Sequence, residues 1–327
     1  MNKLISVSDA NALIDAGCRL HIAGDEVALR SLHRGTWIGG TIPYFLTPDG
    51  GVVDRENVFV TELPAEVSAV SSRLIDVAHL EEVSTEAPTH GFSLVILPGM
   101  SPIHAEYALA VEHIPSLFAS PIVGWVAGIH LNDLGKVSPK VIDGVSGEWA
   151  DDRLVVMHAT LPEGVVATIG IINVFTQGGG DAIVFDQSGF SGKACTINGK
   201  ADDFLDYAKR TGLDLKLPLV ANRAGEMINV SFQALDDADG VVKFYAPVLK
   251  GVEYRQAAPL ADYRTALIGA IEGMHFSPAF SCNCILNYLY GGLEGQQSIP
   301  VPGPATFGEV GYVLLNQTLV YMSLVKI

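Results

Sequence analysis

Apolar and polar positions change period several times along the chain, and each change marks an element. Val7 to Ala16 has helical spacing, with Ser8 or Asp9 as its cap and Gly17 as its stop. Leu20 to Ala23 is a short apolar run and predicts a strand, and "DEVALRSLH" (25–33) returns to a helical period. "TWIGGTIPYF" (36–45) predicts a strand interrupted at Gly39-Gly40, followed by the hairpin signal "TPDGG". "NVFVTELP" (57–64) is a further strand, closed by a proline.

The same grammar then recurs. "GFSLVILPG" (91–99) predicts a buried strand, "HAEYALAVEHI" (104–114) a helix, "SPIVGWVAGIHL" a glycine-broken strand and "DDRLVVMHATLP" (151–162) a closing strand. A third pass runs through the strand "PAFSC", the helix "CILNYLY", the glycine-broken "ATFGEVGYVLL" and the strand "NQTLVYMSLV". Three passes through one order of elements predict a loose internal repeat whose glycine corners build a pocket.

Between the second and third passes lies a strand-rich stretch, "VVATIGIINVF", "DAIVFDQ" and "KACTIN". It is followed by a helix over 201–212 that stops at Gly212, and a hairpin turning at Asp239-Gly240. An amphipathic helix over 259–274 puts Leu260, Tyr263, Leu267 and Ile271 on one face. Short strands and helices in mixed order predict an α/β fold of mixed α+β type, with layered mixed sheets, flanking helices and two subdomains. The helix end near Leu213 to Pro218 divides the chain into 1–215 and 216–327.

Composition narrows the function classes. The chain has 327 residues, 49% hydrophobic and 17% charged, enough to bury an extensive core and too apolar for disorder. "PIVGWVAGIHL" (121–131) falls short of the roughly 20 apolar residues of a membrane span, and the N-terminus lacks an apolar signal region. These features predict a soluble cytoplasmic protein. A net charge of −16 disfavours nucleic acid and anionic membranes as partners. Four scattered cysteines, Cys18, Cys195, Cys282 and Cys284, do not frame a disulfide scaffold.

Most catalytic signatures fail on particular residues. In "QSGFSGKAC" (187–195) Gln187 replaces the first glycine of a phosphate loop and Ala194 its hydroxyl. His104-Ala105-Glu106 has the deaminase H-x-E form but no P-C-x-x-C follows. None of the nine histidines is paired at metal-ligand spacing, and each is expected on the surface or satisfied in the core. "AFSCNCILNYLYGG" (279–292) keeps four readings open: a metal clip with His275, a strained C-x-C disulfide, a nucleophilic thiol, or packing at a corner. A helix beginning near Asn283 would set Cys282 at its N-terminus, where the dipole favours a thiolate. Trp37 and Trp125 are expected in the core, with a pocket wall as the other reading.

Phe280-Ser281-Cys282, Gly308-Glu309 and Asn316 with Thr318, in this order after an acidic hairpin, resemble the C-terminal half of FIST sensory domains. "WIGGTI" and "PIVGWVAG" are similar to that family's N-terminal glycine corners. An arginine that often follows the family's cysteine is absent here, because Ile285-Leu286-Asn287 follow Cys284. The resemblance implies a FIST-like N-terminal domain over 1–215 and a C-terminal one over 216–327. It implies a small-molecule-binding sensory module of signal transduction, with an amino acid or related metabolite as ligand and an unspecified signalling protein as partner. No cofactor is expected, and the lack of histidine or cysteine partners at zinc spacing around Cys282 and Cys284 predicts no bound metal. The residues it points to are Ser281, Cys282, Asn283, Gly308, Glu309 and Asn316. The alternative is a hydrolase or transferase with Cys282 as nucleophile and Glu309 or a histidine as base.

Overall fold

The computed structural model describes residues 1–110, 113–223, 225–272, 278–296 and 301–327. His275 lies outside the described residues. Strands and helices alternate in mixed order, and the fold is a layered α/β assembly of mixed sheets with flanking helices.

Three six-stranded sheets share one plan. In the first, strand Leu20–Gly24 leads through the one-turn helix Glu26–Leu29 to the parallel strand Trp37–Thr41. Val58–Glu62 returns antiparallel beside Leu20–Gly24, and Asn2–Ile5 flanks it. In the second, Gly91–Pro98, helix Pro102–Ala110 and parallel Ile122–Ala127 are followed by the return strand Leu154–Thr160, with Ala69–Ile75 beside it. In the third, Phe280–Cys284, helix Ile285–Tyr290 and parallel Gly303–Thr306 precede the return strand Leu319–Lys326, with Val165–Ile172 beside it. The internal repeat read from the sequence is thus a strand–helix–parallel-strand unit with an antiparallel return, made three times.

Each unit gives a hairpin away. Tyr44–Thr47 with Gly50–Val53 leaves the first unit and pairs with Gly303–Thr306 of the third. Val141–Asp143 with Glu148–Ala150 leaves the second and pairs with Trp37–Thr41 of the first. Glu309–Gly311 with Val313–Leu315 leaves the third and pairs with Ile122–Ala127 of the second. The exchange closes a ring, so each sheet is completed by a neighbour's residues.

Residues 183–256 form a strand-rich module on two further sheets, with their own cluster around Phe185, Phe204, Phe232, Phe244 and Tyr254. Helix Phe204–Thr211 is capped by Asp203, which accepts from the Leu205 and Asp206 amides, and ends on Gly212 in the left-handed region. The 215/216 line falls inside this module, and four of the five sheets pair across it.

Local readings need three corrections. Ser6, not Ser8 or Asp9, caps the first helix, Val7–Asp15, because its hydroxyl accepts the Asp9 amide. The 25–33 helix shrinks to Glu26–Leu29 under its Asp25 cap. Gly39-Gly40 lie inside strand Trp37–Thr41 instead of breaking it, and the break comes at Ile42-Pro43. Gly40 admits the Trp125 ring: a Cβ there would stand 2.9 Å from that ring's edge and 2.7 Å from Ile96. The first two glycine corners therefore pack against each other in the core at Gly40 and Trp125. Trp37 and Trp125 are both buried.

Candidate functional site

The six residues singled out from the sequence are drawn together by the third unit. Strand Phe280–Cys284 carries Ser281, Cys282 and Asn283, and strand Glu309–Gly311 begins one residue after Gly308. Asn316 opens the turn into the return strand Leu319–Lys326. Among them Ser281, Cys282, Asn283, Glu309 and Asn316 are all at most 2% exposed, so none is a surface group.

Cys282 is mid-strand, and the helix starts at Ile285 with Cys284 as its N-cap. The placement of Cys282 at a helix N-terminus is thereby corrected. Its Sγ lies 3.4 Å from the Gly124 carbonyl oxygen, which accepts the thiol proton. Burial, reinforced by the Glu309 carboxyl and the other cysteine, pushes the Cys282 thiol far above its ordinary range. Cys284 is raised in the same way. Neither is a thiolate at neutral pH, which removes the physical basis for nucleophilic attack in this arrangement. Among the described residues no group of three or more His, Cys, Asp or Glu side chains could hold a metal ion.

Glu309 is fully buried, and desolvation lifts its carboxyl to about 8. Thr318 opposes that shift, donating its amide at 3.2 Å and its hydroxyl at 2.7 Å to one carboxyl oxygen. The Thr306 hydroxyl donates at 2.9 Å to the Gly308 carbonyl, which also accepts the Val126 amide. Ser281 donates to the Pro302 carbonyl at 2.8 Å. Asn283 accepts from the Asn287 amide at 2.9 Å and the Tyr263 hydroxyl at 3.4 Å. Asn316 donates to the Leu315 carbonyl, while its Oδ1 has no partner.

This buried network stops short of solvent, but its neighbours do not. Tyr263, Asn287, Tyr290 and Gln317 line a cleft of about 210 Å³, with Asp214, Lys216 and Asp262 also in its wall. Gln317 is held at φ 50° and ties the wall down: its Oε1 accepts from Ser231 at 2.7 Å, and its Nε2 donates to the Lys216 carbonyl at 3.1 Å. Lys216 Nζ lies 6.0 Å from the centroid of the Tyr290 ring. Asn287 is 2% exposed, and its Oδ1 is a buried acceptor with no hydrogen-bond partner in the protein. None of the six residues read from the sequence lines the cleft; of them Asn283 is the one that holds Asn287 and Tyr263 in place.

Lys216, Asn287 and Gln317 were missed as site residues. "DLK" (214–216) reads as a boundary between elements, and Gln317 hides between Asn316 and Thr318. A signal did exist for Asn287: it is the one amide in the otherwise apolar helix "ILNYLY".

Residues 5–325 match the model of a family of unknown function, DUF6976, and the chain belongs to that family. No curated protein and no solved structure matches it.

Proposed function

We propose that this member of the DUF6976 family is a cytoplasmic sensory module that binds a small zwitterion, an amino acid or a related metabolite, in the cleft before Asn287. The observation that carries the reading is the unpartnered Asn287 Oδ1, an acceptor buried at the cleft wall and needing an N–H donor. An ammonium group meets that need, with Asp214 and Asp262 adding negative charge to the same wall. Lys216 offers the matching cation for a carboxylate. The resemblance to FIST sensory domains supports the same ligand class. The Cys282 hydrolase or transferase reading loses support from a thiol that burial keeps protonated.

Thermal-shift measurement with the twenty amino acids tests the proposal. A ligand at 100-fold over its Kd stabilises the native state by about 2.7 kcal/mol, roughly 4 °C for a chain of this size. Lys216→Met and Asp214→Asn alter exposed side chains and should leave the unliganded Tm unchanged while reducing the shift at least tenfold in apparent affinity. No shift with any of the twenty, or a shift that both variants retain in full, overturns the proposal.

A further inference from the structure

The other side of helix Ile285–Tyr290 faces a second cavity, of about 110 Å³, that the zwitterion cleft does not touch. Its wall is apolar, built from Leu131, Leu134, Ile285, Leu286, Leu289 and Phe307. Gly99 and Met100 follow strand Gly91–Pro98, and Phe307 follows strand Gly303–Thr306. The cavity therefore opens at the carboxyl ends of parallel strands from two repeat units, where sheets with parallel strands leave crevices for ligands.

Three features distinguish it from ordinary packing. His104, from the helix Pro102–Ala110, lines it at 8% exposure, and its Nε2 has no hydrogen-bond partner in the protein. Buried polar atoms are almost always paired, so this one marks a partner not supplied by the chain. Met100 is held at φ 60°, a conformation that non-glycine residues rarely adopt, in the cavity wall. Met100, Leu134 and Leu289 are 56%, 45% and 40% exposed around the same opening.

We propose that this cavity is a second binding site, for a small uncharged and mainly apolar molecule whose single hydroxyl or carbonyl oxygen pairs with His104. Its volume approaches the roughly 150 Å³ at which an apolar protein cavity takes up benzene, so about five or six heavy atoms fill it. Burial lowers the imidazole to about 4, so the ring is neutral at physiological pH and suits a neutral oxygen better than a carboxylate. Among the lining residues the remaining polar side chains are Gln233 and Tyr245, and no carboxylate, lysine or arginine lines the cavity. The site thus selects for apolar bulk with one polar atom, the opposite of the cleft across the helix.

Isothermal titration with cyclopentanone, cyclopentanol and benzene, six heavy atoms each, tests the assignment. All three should bind saturably, the oxygenated pair at least tenfold more tightly than benzene. His104→Phe should remove that preference and leave benzene binding in place. Leu289→Trp, at a partly exposed position, should fill the opening and abolish binding of all three. Absence of saturable binding, or binding that survives Leu289→Trp, overturns the proposal. So does sedimentation showing that the wild type is a dimer which Leu289→Trp dissociates, since the opening would then be an interface between copies. Binding of all three with equal affinity overturns the role given to His104.

Discussion

Glu309 carries a carboxyl that is cheaper to keep protonated than to ionise where it sits. Its pKa is about 8 in the fold and near 4.5 when unfolded, so between those values the native state holds a proton that the unfolded chain has released. Stability from this group is therefore full below pH 4.5 and falls as pH rises toward 8, by roughly 3 kcal/mol at pH 7. Glu309→Gln keeps the shape without the charge. The urea midpoint of the wild type should fall from pH 5 to 8 relative to the variant's, and parallel curves would refute the linkage. "FGEV" marks Glu309 as a carboxylate at a glycine corner but does not announce its burial. Nothing in a glycine-flanked carboxylate announces that a neighbouring unit's strand Ile122–Ala127 will cover it.

Among the elements, the parallel pair Gly91–Pro98 and Ile122–Ala127 depends on one missing side chain. A Cβ on Gly124 would stand 1.8 Å from the Val95 carbonyl oxygen, and the Gly124 carbonyl is also the acceptor for Cys282. Gly124→Ala should destabilise the protein by about 3 kcal/mol, whereas Gly180→Ala, with nothing within 4 Å, should be nearly neutral. Chemical denaturation of the two variants checks this; equal midpoints would show that the strand pair absorbs the methyl. Most strands were readable because their apolar runs are short and bounded by proline or glycine. The Gly39-Gly40 break was misread because glycine marks two things that sequence alone does not separate, a turn and a close approach. Here it is the approach of Trp125.

At the scale of the molecule, the threefold recurrence of elements was visible, but the ring of exchanged hairpins was not, since nothing local says which sheet a hairpin joins. Strand Leu319–Lys326 lies between Val165–Ile172 and Phe280–Cys284, with Leu319 and Val320 buried. Deleting residues 316–327 should abolish soluble expression, and a soluble truncation that melts cooperatively would show the strand to be dispensable.

The exchanged hairpins also set an order of events during synthesis. Among the described residues, the hairpin Tyr44–Val53 finds its outside partners at Glu294 and Gly303–Thr306, so a nascent chain must carry it with an open edge until those late residues are made. Sheets closed by such distant partners form slowly, and their waiting edges invite association between unfinished chains. Production of this protein should therefore depend on holding chaperones and on translation speed more than its finished, well-covered core suggests.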